Sequence, residues 1–265
     1  MRTQQLLYGA AGVVVLAMLV LLGMGLNHRS DEAPRMRGGG DFVTAVEKAQ
    51  AATVMVTVSG GGGAPDEMPM GSGFVISSDG LVVTAAHVTG RLPVVNMVFA
   101  DGSVARAELV GADETADIAV FRTTPGKPLA FLTLADSNQV RPGQAVVLMG
   151  APYGLVGTAT SGIVSAINRQ IGASAEGRFA NGALSGPVTA YIQTDAALTA
   201  GGSGGPLLNA GGQVIGVASA RESRGDPGAG LSFAIPSNVV KTVVERVKNA
   251  PATPAPPGAA PSPRP

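Results

Sequence analysis

The sequence predicts an all-β protein in which two six-stranded antiparallel β-barrels follow one transmembrane helix and are flanked by a short helix on each side. Twelve short runs of β-branched or alternating apolar residues lie between turn signals rich in Gly, Asp and Ser. They form two groups of six, separated by a connector at residues 125–142 that begins and ends with proline. Closing each group into a barrel leaves no unpaired strand edge, so we expect barrels rather than open sheets.

The elements can be justified in order along the chain. Residues 41–49 carry apolar side chains at helical spacing after Asp41, a residue type favoured at the N-cap. Residues 59–70 are rich in Gly and Pro and predict a loop. After the second barrel, valines recur at helical spacing behind Ser237, which predicts a closing helix with Ser237 as its N-cap. The predicted strands are 53–58, 71–76, 81–87, 94–100, 104–110 and 118–121 in the first barrel, and 145–149, 158–167, 188–194, 206–208, 214–219 and 231–235 in the second.

Changes of composition divide the chain into segments. Residues 6–26 are a 21-residue run without a charge, long enough as a helix to span the ~30 Å hydrocarbon core of a membrane. We expect a transmembrane helix or signal anchor there, after an N-terminal cytoplasmic end at 1–5; the alternative is a cleaved signal peptide. The other predicted segments are a flexible tether at 27–40, a globular domain at 41–249 (barrel 1 about 53–124, barrel 2 about 143–236, closing helix 237–249) and a Pro-rich disordered tail at 250–265.

Composition excludes several classes of function. The 18 Lys and Arg residues balance the 18 Asp and Glu residues, and no basic patch points to nucleic acid. The absence of cysteine excludes disulfides and Cys-ligated metals. Of the two histidines, only His87 lies in the globular part, which excludes a His-rich metal site. We therefore expect no metal and no cofactor.

One serine stands among four glycines at residues 201–205. Glycines let the backbone turn sharply and let a substrate approach the Ser203 hydroxyl. Successive backbone N–H groups in such a turn can also point at one oxyanion. This pattern is typical of a serine nucleophile; the alternative is a flexible Gly/Ser loop.

A serine nucleophile needs a base and a carboxylate that orients it. His87, at the end of a predicted strand, is the candidate base. Asp117, directly before the predicted strand 118–121, is the candidate carboxylate, with Asp113 as the fallback. Asp101 is interpreted as a turn residue because Gly102 follows it. The chain order His, Asp, Ser argues against a lipid or ester hydrolase.

Four segments resemble the HtrA (Deg) branch of the trypsin-like serine proteases, which have the chymotrypsin fold. They are residues 84–88 (TAAHV), 116–120 (ADIAV), 191–197 (YIQTDAA) with the serine segment 201–207 (GGSGGPL), and 230–237 (GLSFAIPS). The resemblance covers roughly residues 41–249. It implies a serine endopeptidase that acts on exported proteins, misfolded or regulatory, with protein or peptide substrates. From the balanced charge we expect no nucleic-acid partner.

The resemblance also implies site residues. His87, Asp117 and Ser203 would be catalytic, and the backbone N–H groups of Gly201 and Ser203 would form the oxyanion hole. The substrate pocket would be lined by Ala196, Leu198, Val217 and Leu231, small or apolar side chains that predict cleavage after aliphatic residues rather than after Lys or Arg.

The resemblance further implies export and assembly. A count of Lys and Arg around residues 6–26 favours the opposite orientation, so export is expected from the resemblance: one pass through the bacterial inner membrane, with the protease domain in the periplasm or outside the cell. Relatives in this family are often homotrimers, and Phe42 is a candidate interface residue. Many also carry a peptide-binding PDZ domain, which we do not expect in this chain.

The chain departs from the family pattern at Gly202, where the residue before the serine is usually Asn. Glycine lacks the side chain that would form local hydrogen bonds, so the peptide between Gly201 and Gly202 could flip and close the oxyanion hole. The alternative function is therefore an inactive or conditionally active pseudoprotease that serves as a peptide-binding scaffold.

Overall fold

In the computed structural model, the described residues are 42–59, 67–170, 190–221 and 231–250. These ranges contain twelve strands that close into two six-stranded antiparallel barrels. The predicted all-β chymotrypsin-like architecture is therefore confirmed. No helix within these ranges has the length and apolar character to cross a membrane; the span predicted at 6–26, the tether at 27–40 and the tail from 251 onward lie outside them.

The first barrel has the strand order β1-β2-β3-β6-β5-β4 and closes through pairing of β1 with β4. Strand β3 consists of five residues that are all buried, whereas β4 alternates between buried and half-buried positions, as expected for a strand with one side facing the core. The helix before this barrel is α1 (Phe42–Gln50). The strands are β1 (Thr53–Ser59), β2 (Glu67–Val75), β3 (Leu81–Ala85), β4 (Val94–Phe99), β5 (Val104–Asp113) and β6 (Ile118–Thr123), with one helical turn, α2 (Ala86–Thr89), after β3.

The second barrel has the strand order β10-β11-β12-β9-β8-β7 and closes through pairing of β10 with β7. Its own core includes Ile192, Leu207 and Ile215. The strands are β7 (Ala145–Gly150), β8 (Thr158–Arg169), β9 (Tyr191–Thr194), β10 (Pro206–Asn209), β11 (Val214–Arg221) and β12 (Ser232–Pro236). The other core is larger. It fills the first barrel and continues through Tyr191 and Val217 to the closing helix α3 (Ser237–Asn249).

Three predictions of local structure are wrong. The strand predicted at 81–87 ends at Ala85, and His87 belongs to the helical turn α2. Strand β2 begins at Glu67 rather than at residue 71, because its pairing with β1 continues to the pair Ser59 and Glu67. The register of this pairing shifts between Val56 and Thr57. This cross-strand pairing outweighs the low strand propensity of Pro69. Ser237 does not cap α3: its hydroxyl donates instead to the carbonyl of Ala135, at 2.9 Å, and ties the helix to the connector between the barrels.

Phe42, the residue predicted to serve a trimer interface, is partly buried and packs against the larger of the two cores. The homotrimer stays a prediction.

Candidate active site

His87 and Asp117 are brought together by the ends of two paired strands. Ala85, the last residue of β3, pairs with Ile118, the first residue of β6, so the residues that follow one strand and precede the other are neighbours. The His87 Nδ1 atom lies 2.8 Å from Asp117 Oδ2 and 3.0 Å from Oδ1. The backbone N–H of His87 also donates to Asp117 Oδ1, at 2.9 Å. The carboxylate therefore orients both the ring and the backbone of the histidine.

This arrangement assigns the two nitrogens of the His87 ring. A carboxylate only accepts hydrogen bonds, so Nδ1 carries the proton in the neutral ring and Nε2 presents a lone pair. Nε2 is buried and has no hydrogen-bond partner among the described residues. A buried acceptor without a partner is unusual in proteins and is available to a hydroxyl proton.

Ser203 joins this pair through a residue that the sequence analysis missed. Its Oγ donates to the carbonyl of Ser219 at 3.2 Å, and the Ser219 hydroxyl donates to Asp117 Oδ2 at 2.6 Å. The three predicted residues are thus connected by a series of hydrogen bonds that passes through Ser219. The described residues contain no direct bond between Ser203 and His87. In free proteases such bonds are often long or misaligned and tighten when substrate binds.

The glycine-rich loop around Ser203 has a defined backbone geometry. Gly201 has φ +89°. The N–H of Gly202 donates to the carbonyl of Thr199 at 2.9 Å, and the carbonyl of Ala200 accepts from the N–H of Tyr153 at 3.3 Å. Within the described ranges, the N–H groups of Gly201 and Ser203 donate to no protein atom. Both amides are therefore free to bind an oxyanion.

The next two glycines of this loop are required by close packing. A Cβ atom at Gly204 would lie 2.1 Å from the carbonyl oxygen of Ser72 and 2.4 Å from Thr84 Oγ1, and Gly204 has φ +88°. A Cβ atom at Gly205 would lie 2.0 Å from the carbonyl oxygen of Met149. The glycines therefore let the loop lie directly against strands of both barrels.

The other acidic candidates have different roles. Asp113 does not orient His87, because Oδ1 accepts from the N–H of Ala116 and Oδ2 pairs with Arg246. Burial opposes ionisation of Asp113, but these two partners outweigh it and hold the pKa below its ordinary value. Asp101 accepts from the N–H of Ser103, as expected for a turn residue.

The predicted pocket residues all belong to the second half of the chain. Ala196, Leu198 and Val217 are buried, and Leu231 is half-buried. None of them is charged. Nearby, burial and the negative charge of Asp117 raise the pKa of Tyr191 far above its ordinary value, so this phenol stays neutral beside the site.

Comparison with known families decides the classification. Residues 71–217, more than half of the chain, match the family model described as "Trypsin-like peptidase domain". The chain belongs to the trypsin-like peptidase domain family. The matched range contains the segments that carry His87, Asp117 and Ser203 in this trypsin-like domain.

Relatives of this trypsin-like chain include proteins named "Probable periplasmic serine endoprotease DegP-like". The one from Rickettsia prowazekii is 40% identical over 185 residues, which cover 69% of this chain and 34% of the relative. The one from Brucella suis is 43% identical over 178 residues, or 67% of this chain and 32% of the relative. The chain thus spans about a third of the length of these curated relatives.

The chain is also similar to solved structures of HtrA-type proteases. The HtrA-type protease AlgW with decapeptide superimposes with a TM-score of 0.66 at 29% sequence identity, over 78% of this chain and 67% of AlgW. The predicted resemblance to HtrA-type proteases is confirmed by these relatives and by this structure.

Replacing Ser219 with alanine is expected to lower the free energy of unfolding by about 1–3 kcal/mol, because the buried carboxylate of Asp117 would lose a hydrogen-bond donor. Urea denaturation measures this change. Ser103→Ala is the matched control, since the Ser103 hydroxyl donates to the exposed carboxylate of Asp101. We expect a change within about 0.5 kcal/mol for the control. Equal losses in the two variants would contradict the structural role of Ser219.

Proposed function

We propose that this chain is a serine endopeptidase that hydrolyses peptide bonds of exported proteins, misfolded or regulatory, with Ser203 as nucleophile, His87 as base and Asp117 as the orienting carboxylate. The observation that carries the proposal is the series of hydrogen bonds from Ser203 through Ser219 and Asp117 to the His87 ring, which ends at an unpaired, buried Nε2. The names of the DegP-like relatives support the same activity.

The chemistry follows from the protonation of the ring. His87 Nε2 accepts the proton of the Ser203 hydroxyl while the oxygen attacks the carbonyl carbon of the substrate. The imidazolium that forms is stabilised by Asp117 and then donates its proton to the departing amine. This leaves an acyl group on Ser203. A water molecule, deprotonated by the same nitrogen, hydrolyses the acyl-enzyme and restores the free serine.

The developing negative charge on the substrate oxygen needs two donors. The N–H groups of Gly201 and Ser203 are proposed for this role because neither has a protein partner among the described residues. Preorganised donors of this kind typically contribute about 10²–10³-fold each in rate.

The pseudoprotease alternative depends on flipping of the peptide between Gly201 and Gly202. Against it, the carbonyl of Gly201 accepts from the Ser72 hydroxyl at 2.6 Å and the N–H of Gly202 donates to Thr199. Both ends of the peptide are therefore bonded. These contacts favour the active enzyme over the scaffold.

We expect cleavage to follow small or medium aliphatic residues, because the proposed pocket residues Ala196, Leu198, Val217 and Leu231 are apolar and include no carboxylate to pair with Lys or Arg. Digestion of an unfolded protein by the full chain, with mass spectrometry of the products, tests the endopeptidase activity and its specificity together. Products that end mainly in Val, Ala, Ile or Leu are the expected result. Products that end mainly in Lys or Arg would refute the pocket assignment, and absence of products would refute the activity.

The proposed location is the periplasm or the outside of the cell, with residues 6–26 as a single-pass anchor in the inner membrane. The names of the relatives, which call them periplasmic, support this compartment. In spheroplasts, an added protease should digest the domain while the membrane is intact. Digestion only after lysis would contradict export.

A further inference from the structure

Ser72 is a first-barrel residue whose hydroxyl bonds to the second barrel. It lies in β2 and is fully buried. Its Oγ donates to the carbonyl of Gly201 at 2.6 Å and accepts from the N–H of Ala151 at 2.8 Å. Gly201 belongs to the glycine-rich loop at residues 201–205, called the serine loop below, and Ala151 follows β7. One hydroxyl therefore joins two segments of the opposite barrel to β2.

The backbone of Ser72 is also bonded to the site. Its N–H donates to the carbonyl of Ser203 at 2.8 Å, and its carbonyl accepts from Thr84 Oγ1 at 2.7 Å. Thr84 lies in β3, three residues before His87. Ser72 is therefore bonded on one side to the strand that leads to the base and on the other to the nucleophile and its loop.

The hydroxyl of Ser72 forms one of two hydrogen bonds that hold the Gly201–Gly202 peptide in its orientation. A peptide unit is planar, so fixing its carbonyl direction and its N–H direction fixes the whole unit. Ser72 holds the carbonyl and Thr199 accepts from the N–H. With this unit fixed, the N–H groups on either side, those of Gly201 and Ser203, remain unpaired among the described residues.

Gly202 cannot supply this support from a side chain of its own. Glycine has no side chain with which to hydrogen-bond its own loop, and it has the widest backbone freedom of any residue. The surroundings also fit glycine: a Cβ atom at Gly202 would lie 2.8 Å from Leu198 Cδ1 and 3.1 Å from the carbonyl oxygen of Thr199. A Cβ atom at Gly150 would lie 2.8 Å from Ser72 Oγ, so the hydroxyl also depends on a neighbouring glycine for space.

We propose that Ser72 is a positioning residue that holds the oxyanion-binding shape of the serine loop from the opposite barrel, in place of a side chain at position 202. This rests on the proposed function. Among the described residues, Ser72 forms no hydrogen bond with the Ser203 hydroxyl or the His87 ring; it acts through the backbone of Gly201.

Ser72→Ala in the full chain should lower kcat for a chromogenic peptide by about 10- to 100-fold, less than the complete loss of two oxyanion donors. KM should change by less than about threefold, because the loop shape matters most in the transition state. A peptide aldehyde, whose hemiacetal oxygen occupies the oxyanion site, should bind more weakly by the same factor as kcat. The same peptide with a methyl group in place of the aldehyde has no oxygen for the oxyanion site and should bind as well as before.

Ser237→Ala is the matched control. Ser237 is also fully buried, and its hydroxyl also donates to one backbone carbonyl, that of Ala135. It should destabilise the fold to a similar extent and leave kcat and aldehyde binding unchanged. The pH dependence of kcat/KM should keep its shape in Ser72→Ala, since the hydrogen bonds between His87 and Asp117 are intact. If Ser72→Ala does not fold, Ser72→Cys replaces it, because a thiol fills the space but donates weakly.

The outcomes separate the positioning role from the activity itself. A Ser72 variant that keeps kcat and aldehyde affinity within about threefold of the unsubstituted chain would overturn the positioning role alone. So would parallel losses in Ser72→Ala and Ser237→Ala. A folded, unsubstituted chain that neither hydrolyses peptides nor binds the aldehyde would overturn the proposed function, and this inference with it.

Discussion

Replacing Ser203 with alanine is expected to lower kcat for peptide hydrolysis on the order of 10⁶-fold, the loss typical of a serine protease without its nucleophile. The hydroxyl is the only part of the side chain that reacts, and alanine leaves the Gly201 and Ser203 amides in place. Binding of a product peptide should therefore persist. Initial rates with a chromogenic peptide and the affinity for the product peptide measure the two effects.

Ser165→Ala is the control for this change. Ser165 is an exposed serine in β8 and takes part in none of the contacts of the site. The control should keep the rate of the unsubstituted chain. Residual activity above about one hundredth in Ser203→Ala would assign the hydrolysis to a different residue.

Replacing Gly204 with alanine should give the largest loss of stability, about 3–5 kcal/mol, because two unfavourable effects act together. At φ +88° any other residue is strained, and the added Cβ atom would lie 2.1 Å from the carbonyl oxygen of Ser72. That carbonyl belongs to a buried strand, so relief requires the two barrels to separate locally. Chemical denaturation measures the change, and loss of peptidase activity should accompany it.

Gly143→Ala separates the two contributions. Gly143 has φ +86°, and a Cβ atom there would have nothing within 4 Å. The Gly143→Ala variant should lose only about 1–2 kcal/mol in the free energy of unfolding, which is the cost of the backbone conformation. Equal losses at Gly204 and Gly143 would show that the contact with Ser72 does not matter.

Local sequence patterns predict most of the fold and bring forward the three residues proposed for catalysis. The apolar alternation of the strands and the turn signals between them are short-range features, and His87 and Asp117 lie next to strand ends that pair directly. The glycines on both sides of Ser203 indicate a candidate nucleophile. These patterns can be detected in a single sequence because each depends on residues that are adjacent in the chain.

The supporting contacts could not be predicted in this way. Ser219 is 102 residues from Asp117, and Ser72 is 129 residues from Gly201. No local pattern encodes a hydrogen bond between the barrels. The early start of β2 and the bond from Ser237 to Ala135 have the same origin, since tertiary pairing outweighed the local propensity of Pro69 and the capping preference of serine. These contacts also concern Gly202. A side chain at position 202 is less needed to hold the loop, because the Ser72 hydroxyl already holds the carbonyl of Gly201.

Labelling with a fluorophosphonate probe tests the central claim most directly, because the probe phosphonylates only a serine that a neighbouring base has activated. The full chain is treated with the probe, digested with another protease and analysed by mass spectrometry. We predict one modified residue, Ser203, and loss of the label in both Ser203→Ala and His87→Ala. No label on the folded, unsubstituted chain, or a label on Ser203 that persists in His87→Ala, would contradict the account.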